Sequence, residues 1–412
     1  MTGDLLEKSK PGWRRTFAAL ENRNFRWMWL AGLASSATFQ MGMITRGWLI
    51  YDMTGSALAL GWVSSGWGIS ILALSLFGGV VADRIRKRNV LVISQVAMGL
   101  VTLVIGLLLA TGVIQIWHLF MGSLATGVIF AFQMPANDSF TAEIVDRETL
   151  LNASSLSSVA MSLMGIVGAP AAGVLLERIG AAGVYFLQVP PYAFIVFCLL
   201  HLPLTPPSGG ERTSVLRELV EGLRYIRAQI AVLILLIITL SRVLLAMPYQ
   251  TFLPIFAEDV FGVGASGLGL LQAAVGMGAM VGSLGVASLG DFRHKGGLLL
   301  ASGLALGGSL FLLAHAPYFY LALAALALVG AAGNVCMVTN FTLLQTNVSD
   351  RVRGRVLSVA MWLWGFTPLG TVPSGALADR WGIPLTVALQ GGLLVLFFIA
   401  IGLGQPRFRT LE

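Results

Sequence analysis

Apolar positions along the chain come in long blocks rather than in short alternating runs. Each block of about 20 or more residues is closed by a brief polar or charged segment, and a helix needs roughly 20 apolar residues to cross a bilayer. Twelve such blocks can be placed, at approximately 25–49, 57–82, 89–112, 117–140, 153–179, 182–202, 230–256, 265–290, 296–314, 317–343, 354–378 and 382–404. Between the sixth and seventh, Pro203-Leu204-Thr205-Pro206-Pro207-Ser208-Gly209-Gly210-Glu211 has the composition of a linker. After it, Leu216, Leu219, Val220, Leu223 and Ile226 recur at helical spacing, which predicts an amphipathic helix on the cytoplasmic face. The expected organisation is an arm over 1–24, a six-helix half over 25–202, a linker over 203–229, a second half over 230–404 and a tail over 405–412.

The blocks repeat. Gly173-Val174-Leu175-Leu176-Glu177-Arg178-Ile179-Gly180 is matched by Gly375-Ala376-Leu377-Ala378-Asp379-Arg380-Trp381-Gly382 at an offset of 202 residues, and Gln188 and Gln390 keep that offset. Upstream, Ser158-Val159-Ala160-Met161 returns as Ser358-Val359-Ala360-Met361. A period near half the chain predicts two parallel-related halves with the substrate site between them. The fold class expected is therefore an all-α membrane protein of twelve transmembrane helices.

Composition excludes a soluble domain: 56% of the 412 residues are hydrophobic and 11% charged, with a mean hydropathy of +0.83. All but four of the 26 Lys/Arg fall in segments that one orientation places in the cytoplasm, together with both termini; the four are Arg46, Arg178, Arg242 and Arg380. The net charge of +7 then reports orientation in the cytoplasmic (inner) membrane, not a nucleic-acid footprint. The first apolar run follows a polar stretch of more than twenty residues and lacks the form of a cleavable signal peptide. Cys198 and Cys336 lie in separate apolar blocks and suggest neither a disulfide nor a metal site. With no Walker loop, no Cys/His cluster and no nucleophile–base pair, neither catalysis nor a cofactor or metal is expected.

The stretch Gly78-Gly79-Val80-Val81-Ala82-Asp83-Arg84-Ile85-Arg86-Lys87-Arg88 joins the second and third blocks. Its Gly79-x-x-x-Asp83-Arg84-x-x-Lys87-Arg88 pattern resembles motif A, the loop between helices 2 and 3 of the major facilitator superfamily, with Arg86 where the family has Gly and Lys87 where it has Arg. The resemblance implies a gating loop, in which Asp83 faces the N-terminal end of helix 11 when the cytoplasmic side is closed; a carboxylate there gains about 0.3–1 kcal/mol. Without the resemblance, the loop reads as a topogenic basic segment. Two phrases, Arg46-Gly47-Trp48-Leu49-Ile50-Tyr51-Asp52-Met53-Thr54-Gly55-Ser56 and Asp350-Arg351-Val352-Arg353-Gly354-Arg355-Val356-Leu357-Ser358, resemble a bacterial exporter subgroup that includes enterobactin exporters and macrolide efflux proteins. Gly165, Gly168, Pro170 and Gly173 resemble the antiporter signature of helix 5, with Ala169 and Val174 where the family has Gly; the alternative is close packing through small residues.

Arg242 lies about a dozen residues into the seventh block, where a charge usually faces a polar cavity or a partner. It is the leading candidate to bind an anionic substrate group, the alternative being a bond to backbone carbonyls or a distant carboxylate. Arg46, Gln40, Trp362 and Trp364 are further substrate-binding candidates. Arg46 can also be read as an interfacial cation or a partner of Asp52, and the tryptophans as packing residues. Asp138 and then Glu143, near the cytoplasmic end of helix 4, are candidates for proton coupling or, alternatively, a cap or solvated turn. Helix 4 has no cation over Gly122-Ser123-Leu124-Ala125-Thr126-Gly127, where many proton-coupled members of the superfamily carry arginine.

The function expected is a monomeric, alternating-access secondary transporter in the lipid bilayer. It exports a bulky amphipathic or anionic small molecule of siderophore type, in exchange for protons. Macrolide or multidrug efflux is the nearest alternative; a lipid flippase or non-transporting sensor is the alternative of another class.

Overall fold

The computed structural model describes residues 18–145, 149–204, 224–227, 229–289 and 294–405, without the side chains of 18, 76–84, 150–151, 154–155 and 350–351. Every regular element among the described residues is helical. In lipid this follows from the backbone: no water is present to satisfy N–H and C=O groups, so each span must pair its own.

Helix α1 (Arg23–Thr54) starts at Asn22, whose Oδ1 accepts from the backbone N–H groups of Asn24 and Phe25. It is followed by α2 (Ala57–Arg84), α3 (Lys87–Ala110) and α4 (Ile116–Ile144). The segment Leu150–Leu200 is broken at Gly180 (φ 68°, ψ 173°) into α5 (150–179) and α6 (181–200). Helix α7 (230–260) comprises Ile230–Ser241, a π turn Arg242–Ala246, Pro248–Ile255 and a second π turn Phe256–Val260. Then come α8 (Gly264–Ser288), α9 (Lys295–Ala314) and α10 (Phe319–Thr346). Helix α11 (350–381) joins Asp350–Trp362 to Thr367–Trp381 through a 3-10 turn, Leu363–Phe366, and α12 is Ile383–Gly404. Gly382 (φ 84°) separates α11 from α12 as Gly180 separates α5 from α6.

Helix ends fall within about five residues of the apolar blocks. The largest extension, over Tyr51-Asp52-Met53-Thr54, arises because a helix need not stop where its apolar run stops. Ten helices among the described residues are long and apolar enough to cross a membrane, one of which contains both α5 and α6. Helix α1 is as long, but Ser35, Ser36, Thr38, Gln40, Thr45 and Arg46 dilute its apolar character. The chain is an all-α, multi-spanning membrane protein. Of the amphipathic helix expected over 213–227, only 224–227 is described, and it is helical; the Leu289–Gly296 loop falls mostly outside the described residues.

Within the first six helices, α1 packs on the α5–α6 segment, α2 on α4, and α3 on α4 and α6; within the second six, α8 packs on α10 and α9 on both α10 and α12. Two seams join the sets, α2 with α11 and α5 with α8. Small residues bring these backbones together, since lipid supplies no hydrophobic drive for helix association. In the α8–α10 contact, a Cβ on Gly330 would lie 2.1 Å from the Val275 carbonyl oxygen. Each set also buries a glutamine at the repeat position: Gln188 donates to the Val184 carbonyl, and Gln390 to the Ser374 hydroxyl.

Gly330→Ala should therefore destabilise the protein by about 1–3 kcal/mol, since neither backbone can yield without moving its helix. Gly392→Ala, on α12 with nothing within 4 Å of the added carbon, should leave stability unchanged or slightly raised. Thermal unfolding of both variants in detergent checks the contrast.

Candidate functional site

The repeated octapeptides end α5 and α11 at the same end of the molecule, and each presents a carboxylate to a helix of the other set. Glu177 Oε1 accepts from the backbone N–H of Ser266, in the first turn of α8, at 2.8 Å. Asp379 accepts from the N–H groups of Ala57 (2.6 Å) and Leu58 (3.2 Å) and from the Ser56 hydroxyl (2.7 Å), at the start of α2. First-turn N–H groups lack partners within their own helix and carry the positive end of its dipole, so a carboxylate is the fitting acceptor. A third link crosses the sets at this end, with the Tyr51 hydroxyl donating to Asp259 Oδ2.

Glycines let the two seams close. In α2–α11, a Cβ on Gly61 would lie 2.6 Å from the Thr371 carbonyl oxygen, and one on Gly375 2.6 Å from that of Ala57. In α5–α8, the corresponding distances are 2.3 Å from Gly173 to Ala265 and 2.6 Å from Gly269 to Ala169. The antiporter-type motif thus divides. Gly173 and Pro170 face α8, Gly168 faces Gln40 of α1, and Gly165 lies between Gln40 and Gly276 of α8.

At the opposite end, the buried Lys87 forms an ion pair with Glu143, tying the start of α3 to the end of α4. Arg88 Nη1 donates to the Leu202 carbonyl at 2.7 Å, beyond the end of α6. Glu143 is therefore engaged by the basic loop, while Asp138 is exposed. Gly79, Asp83 and Arg84 end α2, but their side chains lie outside the described residues, and so does the expected approach of Asp83 to α11.

At midspan, Arg242 opens the first π turn of α7, and such turns recur at functional sites. Its Nη2 donates to the Gly333 carbonyl of α10 at 3.2 Å, while its buried Nε has no partner among the described residues. One turn earlier, the Thr239 hydroxyl accepts from Asn340 Nδ2 at 2.8 Å. Arg46 does not reach toward Asp52, which is exposed; it lines a cavity among α1, α3, α4 and α6. The Trp362 indole donates to the Leu72 carbonyl at 2.9 Å and meets Phe366 edge-on, so it is engaged at the α2–α11 seam. Trp364, on the 3-10 turn, is half-buried.

Sequence reasoning assigned no role to Glu177, Asp379, Tyr185 or Asn340. The repeat carried the signal for the first two, because it places a carboxylate at one position of both octapeptides. For Tyr185 and Asn340, no local pattern marks the side chain as facing a polar interior.

Comparison with known proteins agrees with this geometry. Residues 14–410 match the family model described as "Transmembrane secretion effector", a major facilitator family. The multidrug efflux pump Tap of Mycolicibacterium fortuitum is 28% identical over 395 residues, 93% of this chain and 95% of that protein. The enterobactin exporter EntS of Shigella boydii serotype 4 is 27% identical over 364 residues, 85% of this chain and 81% of that protein. Among solved structures, the nucleoside transporter NupG superposes with a TM-score of 0.76 at 14% identity, covering 92% of this chain and 99% of that one. A bacterial homologue of the human lysosomal transporter Spinster, inward-facing and unoccupied, gives 0.71 at 13% identity, covering 97% and 98%. The two structures share the fold. The chain thus belongs to the transmembrane secretion effector family of the major facilitator transporters, and its work is the secondary transport of a solute across a membrane, not catalysis.

Proposed function

We propose that the protein is an alternating-access exporter of a bulky, amphipathic small molecule bearing an anionic group. In this reading its twelve helices form two six-helix halves, 25–202 and 230–404. They are joined by the linker over 203–229, with the arm 1–24 and the tail 405–412 in the cytoplasm of a monomer. The observation that carries it is the pair of carboxylate clamps. Glu177 and Asp379 are repeat-related, each bonds a helix N-terminus of the other half, and both act at one end. Described close contacts of both seams run from midspan, at Leu72 against Gly365 and Gly165 against Gly276, to that end. The positive-inside distribution assigns that end to the outside. The structure is then the outward-closed state, and opening it breaks two equivalent clamps.

The charge preference follows from Arg242 and Arg46, two arginines within the spans that bond no carboxylate among the described residues. Arg242 is the candidate for the central cavity, with Gln40 and Trp364 as further lining candidates and Gly79, Asp83, Arg84, Lys87 and Arg88 as the inner gate. Asp138 is the candidate for proton coupling, with Glu143 second because Lys87 already engages it. The relation to EntS supports a siderophore-like anion as cargo, and the relation to Tap supports multidrug efflux by the same mechanism.

Each clamp contributes on the order of 1–2 kcal/mol, so Glu177→Gln with Asp379→Asn should shift the conformational equilibrium several-fold or more. Spin labels at Asp52→Cys and Val260→Cys, on opposite halves at the clamped end, should then show a longer-distance population. An unchanged distribution would remove the clamps from the gate. For the cargo, thermal shift of purified protein should show stabilisation by anionic catecholates, about 2.7 kcal/mol at 100 times the dissociation constant. Macrolides, cationic dyes and lysolipids should give none, and Arg242→Ala should weaken the effect. Equal stabilisation of both proteins by macrolides or dyes would favour drug efflux and a structural Arg242.

A further inference from the structure

Arg46 sits in a cavity of about 60 Å³ inside the first six helices, lined also by Thr126 of α4 and by Tyr185, Gln188 and Tyr192 of α6. One water needs roughly 10–15 Å³ by this measure, so the space takes a group of several heavy atoms. Its polar lining mixes donors and acceptors: Arg46 brings the one charge among the lining residues, whereas the Thr38 and Thr126 hydroxyls already donate to carbonyls of their own helices. The Tyr192 hydroxyl lies against the hydroxyls of Thr38 and Thr102, and Gln188 Nε2 is committed to the Val184 carbonyl. The guanidinium of Arg46 and the hydroxyl of the buried Tyr185 lie within electrostatic reach of each other, and neither has a hydrogen-bond partner among the described residues.

No carboxylate among the described residues compensates this cation. Glu177 is bound to the start of α8, Asp379 to the start of α2 and Asp259 to Tyr51, and Asp52 is exposed. Arg46 is half-buried, and a partly desolvated charge without a partner is costly, so such a group fits a site where something else supplies the counter-charge. Phe39, on the rim, is 48% exposed and offers an aromatic face beside the opening.

We propose that Arg46 and Tyr185 form a subsite for a single carboxylate or phenolate of the cargo. The charged end enters the cavity and the ring to which it is attached rests on Phe39. Arg46 supplies charge-assisted hydrogen bonds and Tyr185 a neutral one, which selects an oxyanion over an amide or an amine. The subsite rests on the exporter reading above and adds to it a specificity residue distinct from Arg242, whose guanidinium is already bonded to the Gly333 carbonyl.

Benzoate is the probe, with benzamide as its neutral isostere and sodium chloride as the source of a free inorganic anion. Binding to the full chain in detergent is followed by thermal shift and by equilibrium dialysis. Benzoate should bind the parent protein and benzamide should not. Arg46→Gln should weaken benzoate roughly tenfold or more, and Arg46→Lys and Tyr185→Phe by less. Benzoate affinity equal in the parent, Arg46→Lys and Tyr185→Phe proteins would overturn the assignment even if Arg46→Gln failed to fold. Chloride competing at the same affinity as benzoate would also overturn it, by showing an inorganic-anion site. Export from proteoliposomes separates the two readings. Normal export of an anionic catecholate by Arg46→Gln would overturn the subsite and leave the exporter standing. Arg46-dependent benzoate binding without export of any anion would support the subsite and overturn the exporter.

Discussion

A helix that starts at a membrane surface leaves its first-turn N–H groups without partners, and in α2 and α8 those donors are met by carboxylates from the other six-helix set. Capping a helix and joining the two sets are therefore one interaction. Glu177 and Asp379 can reach only because glycine replaces side-chain bulk along both seams; a single methyl on Gly173 or Gly375 would press on a backbone carbonyl. Because packed interfaces switch between discrete arrangements instead of deforming gradually, a seam held this way is either closed or open. The Ser266 and Leu58 donors are exposed, so water can satisfy them once the seam opens, which keeps the cost of opening modest.

The clamped end and the basic-loop end use charge differently. At the clamped end, the bonds run between the two sets of helices and must break if the sets are to part. At the other end, Lys87–Glu143 and Arg88–Leu202 run within the first set, binding α3 to α4 and α6. Those bonds make that set rigid whichever way the transporter faces. Rocking of two rigid bodies about a central site needs both kinds of contact.

Between the ends, the polar groups of each set are turned inward and mostly satisfied locally. Thr239 with Asn340, Gln390 with Ser374 and Arg242 with Gly333 each cross between helices of one set. Arg46 departs from this pattern, since no residue lining the pocket around it is an acid. In a low-dielectric interior, a cation with no acid beside it favours an anionic neighbour.

The spans, their order, the basic loops and the two-fold repeat were legible in the residues because the bilayer imposes length and charge rules on the linear chain. Gly180 and Gly382 could be matched by offset alone, and their left-handed backbone marks the same turn twice. What the residues could not reveal is which way each side chain faces. A helix that is apolar on all sides carries no stripe to show its rotation. Arg46 therefore read as an interfacial cation or a partner of Asp52, and tertiary structure turned it into a cavity beside Tyr185. Tertiary structure alone likewise assigned Glu143 to Lys87, Trp362 to Leu72, and Glu177 and Asp379 to helix starts 89 and 322 residues away in sequence. Contacts over such separations depend on how helices rotate and pack against one another, and in lipid that is decided by where small residues let backbones meet.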